Sequence, residues 1–374
     1  MVKTDRYVQF EAGKLTYRVV PVTEEIIRVI VSGKEIKEAQ DSLIIEKKEY
    51  PEVDFSAEEN AGSIVVKTAK VCAEINTASG DIIWKHADGS QWLSQKKPEL
   101  TETDVIHYNT GDEEPIINRV KTVDGERNFI QNLKAEKVRT AYRGKLFFTW
   151  KEDEEIHGLG QAEEGIYNYR GHCQYLYQHN MRIPMPVLVS TEGYGILVDC
   201  CSLMTFNDDL KDSYLFLDTV DQIDYYFMGG HTMDEIIHDY RYLTGKAQML
   251  PKWAYGYIQS KEVYRTQEEL VATAAEYRKK GIPLDCIVQD WNTWEPGKWG
   301  NKHLDLSRYP NIREANRQLH EMHVHSMVSI WPNMNMGCAD INEFLEENLL
   351  LGDASTYDAF QEKARDLYWR QADA

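Results

Sequence analysis

The residues best equipped for chemistry lie in two short stretches. Gln289, Asp290, Trp291 and Trp294 belong to IVQDWNTW, and Trp331, Pro332 and Asn333 belong to SIWPN. A carboxylate accepts hydrogen bonds from vicinal hydroxyls and an indole face covers the C–H side of a pyranose, so an acid set among tryptophans and amides suits sugar recognition. Gln259 and Ser260 of WAYGYIQS stand at a third, similar position. The competing reading makes Asp290 a loop cap and the tryptophans core. With Trp291, Trp294, Trp299 and Trp331 gathered at two adjacent strand ends, the ligand site is favoured.

Other candidates fail on spacing. HEMH at 320–323, followed by His325, places its histidines three apart instead of the four that put both imidazoles on one helical face. His320, Glu321 and His323 are therefore expected to form a solvated helix end, and no metal is expected. GLGQAEEG at 158–165 lacks the third glycine of a phosphate loop and is expected to be a tight bend. There is no GxSxG elbow and no CxxC. The six cysteines are expected to be reduced and mostly buried, with Cys200 and Cys201 as small apolar side chains ending a strand.

The elements that must position these residues come in two grammars. Up to about Met249, runs such as LTYRVVPV, IIRVIVSG, SIVVKTAKVCAEI, DIIWKH, KLFFTW, YGILVDC and IDYYFM alternate with period two between Gly-, Asn- and Asp-rich turns. That spacing predicts an antiparallel sandwich over 1–250. From Pro251 strand and helix alternate. WAYGYIQS, LDCIVQDW and HSMVSIWP read as parallel strands. TQEELVATAAEYRKKG, NIREANRQLHEMH, INEFLEENLL and TYDAFQEKARDLYWRQ read as helices, the first with Thr266 and Glu269 as a capping box. Ligands of parallel α/β sheets bind at the strands' carboxyl ends, where the acid and the indoles fall. Such a unit curls into a barrel or stays an open sheet. A closed (β/α)8 barrel needs about 250 residues, so 251–374 is expected to hold only its first strands, with further sequence beyond.

Composition narrows the partners. The 374 residues carry 42 Lys plus Arg against 61 Asp plus Glu, a formal charge of −19 that repels phosphate backbones and anionic lipid. Neither nucleic acid nor a membrane surface is an expected partner, while self-association is left open. Hydrophobic residues make up 42%, enough for packed cores. The start, MVKTDRYVQFEAGK, has no apolar run of signal-peptide length, which predicts a cytoplasmic protein.

Four stretches carry a family resemblance: IHGLGQAEE at 156–164, IPMPVLVSTEGYGILVD at 183–199, LTGKAQMLPKWAYGYIQSKEVYRTQEEL at 243–270 and IPLDCIVQDWNTWEPGKWGNKHLDLSRYPN at 282–311, running on into HEMHVHSMVSIWP. On these the chain resembles the N-terminal part of glycoside hydrolase family 31, the α-glucosidase and α-xylosidase family. The resemblance implies a β-sandwich followed by a (β/α)8 barrel, and a retaining α-glycosidase needing no cofactor. It also implies that the nucleophile and acid/base aspartates fall beyond Ala374, so no catalytic residue is expected here. By the same resemblance Asp290 holds hydroxyls of the non-reducing sugar, Trp291 takes the place of the apolar residue beside it, and Ser329 to Trp331 line the same subsite, while Trp294 is a candidate from its place near the strand end. Where relatives place an aspartate from the N-terminal domain, this chain reads YQHNMRIP, with Gln178, His179 and Asn180 instead, and His179 is taken as a substrate-binding candidate. The alternative is a non-catalytic carbohydrate-binding protein on the same scaffold.

Overall fold

The alternation in LTYRVVP becomes a strand, Leu15–Pro21, whose every second residue is buried. The same rule builds most of the first 250 residues of the computed structural model, which describes residues 1–37, 42–46, 49–122, 125–209 and 211–373. The chain divides into two compact units, 1–105 with 138–247, and 106–137 with 248–374.

The first unit is antiparallel. An eight-stranded sheet runs in the order 2–3, 8–12, 15–21, 26–32, 223–229, 194–198, 183–190 and 156–161. A five-stranded meander covers 56–95, and a second five-stranded sheet is built from 99–109, 134–148, 213–220, 204–208 and 173–176. One apolar cluster draws on all three sheets, through Tyr17 and Phe227, Trp84 and Ile75, and Phe206 and Leu217. At its centre Trp84 stacks on Phe227 with ring centroids 4.1 Å apart. The polar edge of that indole is satisfied as well: its Nε1 donates to Gln95 Oε1 at 2.6 Å, and the Tyr225 hydroxyl donates to the same oxygen at 3.0 Å. Pairing a buried N–H in this way removes a desolvation cost of about 1–3 kcal/mol.

Three expectations for this unit are corrected. GLGQ is not a bend but part of the strand Ile156–Gln161, bulged between Gly158 and Gly160. A Cβ on Gly160 would stand 2.0 Å from the Ile183 carbonyl, so the backbone of the neighbouring strand demands glycine there. A helix, Met233–Thr244, closes the unit where only strands were read; Thr232 and Glu235 form its capping box. The cysteines are not mostly buried: Cys286 and Cys338 are, Cys72 and Cys200 are half-buried, and Cys173 and Cys201 are exposed. Burial still pushes the Cys200 thiol far up, which keeps it unreactive.

In the second unit three parallel strands, Ile258–Gln259, Cys286–Gln289 and His325–Val328, pair in that order. Helices Gln267–Lys279, Ile312–Glu321, Ala339–Glu346 and Glu362–Asp373 follow them. The first strand is shorter than expected, because Lys252–Tyr255 winds into a 3₁₀ turn before it. The capping box is half made: the Thr266 side chain accepts from the Glu269 N–H, but the Glu269 carboxylate reaches back to the Arg265 N–H. A hairpin, Ile117–Thr122 with Gly125–Ile130, belongs to this unit. The described residues form the opening part of a barrel and do not close it.

Each outer strand of the parallel sheet is paired on one side only, and Met327, Val328 and Ile330 are exposed along the third. Unpaired strand edges beside apolar side chains template association. The 374-residue chain alone should therefore self-associate in a concentration-dependent way, and Val328→Lys should reduce this. Light scattering after gel filtration is the check, and a monodisperse monomer at high concentration would contradict it.

Candidate functional site

The site is assembled where the second parallel strand ends. Gln289, the strand's last residue, is buried, and its amide Nε2 donates to the Tyr309 hydroxyl at 3.3 Å and to the Tyr264 carbonyl at 3.5 Å. This anchor turns the chain outward at Asp290. There Oδ1 accepts from the Trp291 N–H at 2.8 Å, while no hydrogen bond among the described residues reaches Oδ2. Asp290 thus steadies its own loop with one oxygen and has the other to spend.

Around it the four indoles form one cluster. Trp291 lies 5.3 Å from Trp299, 6.0 Å from Trp331 and 6.2 Å from Trp294 between ring centroids, and Trp299 lies 5.0 Å from Trp331. Their burial separates two roles. Trp294 and Trp299 are 6% and 3% exposed and make the floor, whereas Trp291 and Trp331 are half-buried and can face a ligand. Tilted aromatic contacts of this kind add about 0.5–1.5 kcal/mol each beyond burial.

A loop of about twenty residues carries three of these rings, and what holds it is a set of residues that spacing alone did not single out. Arg308 Nη1 donates to the Asn292 carbonyl at 2.9 Å, Nη2 to the Trp294 carbonyl at 2.5 Å, and Nε to Asp305 Oδ2 at 2.8 Å. The Ser307 hydroxyl and Arg308 hold the Asp305 carboxyl below the usual carboxylate range. Asp305 in turn donates its N–H to the Thr293 carbonyl at 2.8 Å. Asn292 takes a left-handed φ of 61°, which asparagine tolerates better than most residues. At Gly300 a Cβ would fall 1.9 Å from the Asn333 carbonyl, so only glycine lets this loop lie against the end of the third strand. Two further bonds tie the same loops, Asn335 N–H to the Trp299 carbonyl at 2.9 Å and Lys302 N–H to Asp340 Oδ2 at 2.6 Å. The Tyr368 hydroxyl fixes the third strand end by donating to the Trp331 carbonyl at 2.7 Å.

Beside the indoles the hairpin contributes Phe129, Ile130 and Leu133 to a cavity of about 310 Å³ whose other wall includes Trp299, Asn333 and Asp353. The hairpin's part in this cavity had no signal in the sequence. Among the sequence-derived candidates, Asp290, Trp291, Trp294 and Trp331 are brought together. His179 belongs to the first unit, exposed in the turn after the strand Cys173–Leu176, with its carbonyl accepting from the Arg182 N–H at 3.2 Å. His320 and His323 are exposed at a helix end, with Glu321 paired to Arg317.

Residues 247–374 match the family model described as the TIM-barrel domain of glycosyl hydrolases family 31. An α-xylosidase of Saccharolobus solfataricus is 32% identical over 248 residues, which cover 64% of this chain and 34% of the relative. A 1,6-α-glucosyltransferase of Sporosarcina globispora is 30% identical over 138 residues, 34% of this chain and 11% of its own length. The crystal structure of a family 31 α-xylosidase from a soil metagenome, complexed with xylose, superposes with a TM-score of 0.78 at 23% identity, covering 99% of this chain and 55% of that one. At that identity the superposition speaks for the fold, and the chain spans about a third to a half of the length of these two α-xylosidases. Residues 247–374 thus match the barrel domain of glycoside hydrolase family 31, and over 64% of its length the chain is similar to an α-xylosidase.

Proposed function

We propose that the protein is a retaining α-glycosidase that removes a terminal α-xylosyl or α-glucosyl unit from an oligosaccharide, and that the residues described here hold that unit. The observation that carries this reading is the unspent Asp290 oxygen beside four clustered indoles at two adjacent strand ends. The activities of two similar proteins, an α-xylosidase and a 1,6-α-glucosyltransferase, support it. A retaining mechanism uses two carboxyl groups about 5–5.5 Å apart, one attacking the anomeric carbon and one protonating the leaving oxygen. We assign that pair to barrel strands after the third, so that Asp290 binds and does not react. Transfer to a sugar instead of water follows when an acceptor hydroxyl reaches the glycosyl intermediate first.

Asp290 has a definable share in catalysis. The sugar ring gains positive charge in the transition state, and hydrogen bonds from its hydroxyls to a fixed carboxylate strengthen as it does. A charge-assisted bond contributes about 1.5–3 kcal/mol. Arg308 acts differently, through position: without it the loop carbonyls at Asn292 and Trp294 lose their common donor.

Two outcomes are expected. In the full-length enzyme, Asp290→Asn should lower kcat/KM on aryl α-xylosides or α-glucosides by roughly tenfold to a hundredfold with little change in Tm; a destabilised variant with normal kcat/KM would make Asp290 a loop cap only. Arg308→Ala should lower Tm and raise KM more than it lowers kcat, because it disorders the sugar's seat and leaves the reacting carboxylates in place. If the full-length protein binds these sugars and turns over none of the xylosyl, glucosyl or galactosyl substrates, the binding-protein reading replaces the enzyme.

A further inference from the structure

We propose that Lys302 is a positioning residue for the sugar seat: its ammonium locks the end of the third parallel strand and so sets the indole of Trp331 against the loop that carries Trp299. The inference rests on the function proposed above, in which Trp331 faces the sugar, and it adds a residue that itself touches no sugar.

Lys302 is tied at both ends. Its backbone N–H donates to Asp340 Oδ2 at 2.6 Å, which fixes the loop to the helix Ala339–Glu346. Its side chain reaches the last helix, where Nζ lies 4.3 Å from the centre of the Tyr368 ring and donates to Gln371 Oε1 at 3.2 Å. The same Nζ approaches Met334 Sδ, a weak acceptor, at 3.5 Å. Gln371 in turn donates from Nε2 to the Asp340 carbonyl at 3.0 Å, which closes a ring of contacts through both helices.

Tyr368 is the link from this ring to the site. Its hydroxyl donates to the Trp331 carbonyl at 2.7 Å, and its ring stacks on Tyr357 with centroids 4.2 Å apart. A cation at the ring face and a hydrogen bond at the hydroxyl therefore hold one side chain between Lys302 and the strand end.

For stability alone, the ammonium is badly placed. Among the described residues no carboxylate pairs with it, since Asp340 spends Oδ2 on the Lys302 N–H and has Oδ1 3.4 Å from His303 Nε2. Burial pulls the amine below the usual lysine range, against the opposing pull of Asp340 and Cys338. A lowered value means that the fold disfavours the charged form, so a neutral side chain of similar length would stabilise the fold at least as well. What the charge supplies is direction. Three N–H groups fix Nζ among ring, amide and sulfur, whereas a methionine would fill the space and orient neither Tyr368 nor Gln371.

The experiment uses the full-length enzyme carrying Lys302→Met. Tm should stay level or rise, while KM for aryl α-xylosides or α-glucosides should rise about fivefold or more and kcat should change less than about twofold. An unchanged KM, a marked fall in Tm or a loss confined to kcat would each overturn the proposal. Tyr368→Phe keeps the ring and removes the bond to Trp331, so it should raise KM in the same way, and the double variant should be no worse than the worse single one. Effects that multiply would refute the route through Tyr368. Circular dichroism reads the indoles without catalysis: the exciton band of the coupled tryptophans should weaken in Lys302→Met, and an unchanged band would contradict the positioning role. If the wild type turns over no glycoside, the proposed function fails and the exciton band still decides the role of Lys302; if the wild type is active and Lys302→Met matches it, only the role of Lys302 fails.

Discussion

Arg308 is the constraint on which the indole cluster of this protein depends. The segment from Asp290 to Asn311 has no regular helix or strand to satisfy its backbone, yet it must present three indoles in fixed positions. One guanidinium solves this by donating to two carbonyls of the loop while remaining neutralised by Asp305. A planar fork with several donors in fixed directions can do this, and a lysine cannot. Gly300 supplies the complementary condition, because a loop braced in itself must still meet the third strand end, and any side chain there would collide with the Asn333 carbonyl.

That brace explains why two of the indoles are available. Trp294 and Trp299 spend their area on packing, and this burial gives Trp291 and Trp331 a rigid backing. A rigid aromatic face costs little ordering entropy when a sugar lands on it. The carboxylate beside them is economical in the same sense: one oxygen orders the turn into Trp291, and the other accepts no hydrogen bond among the described residues. The loop's buried acid, Asp305, is by contrast committed to structure, bonded to Ser307 and Arg308.

Much of this could be read in the residues. Period-two burial gave the strands of the first unit, as Leu15–Pro21 illustrates, and Asn311 and Thr266 cap the helices that follow the parallel strands. Asp290 and the tryptophans were visible because strand ends in parallel sheets collect ligands. The helix Met233–Thr244 had its signal in Thr232 and Glu235, which was overlooked among neighbouring strands. What was illegible depends on distance in space. The roles of Arg308 and Gly300 arise from carbonyls at 292, 294 and 333, which no local pattern announces. GLGQ misled because glycines at 158 and 160 permit a bulge as readily as a bend.

Asp290 and the indole cluster are the proposed seat of the sugar. A crystal structure of the full-length protein with xylose bound tests this most directly. It should place two vicinal hydroxyls within about 3.2 Å of the Asp290 carboxylate, with the pyranose C–H face over Trp291 or Trp331. A sugar held in the barrel by other residues, with Asp290 still bonded only to the Trp291 N–H, would contradict it.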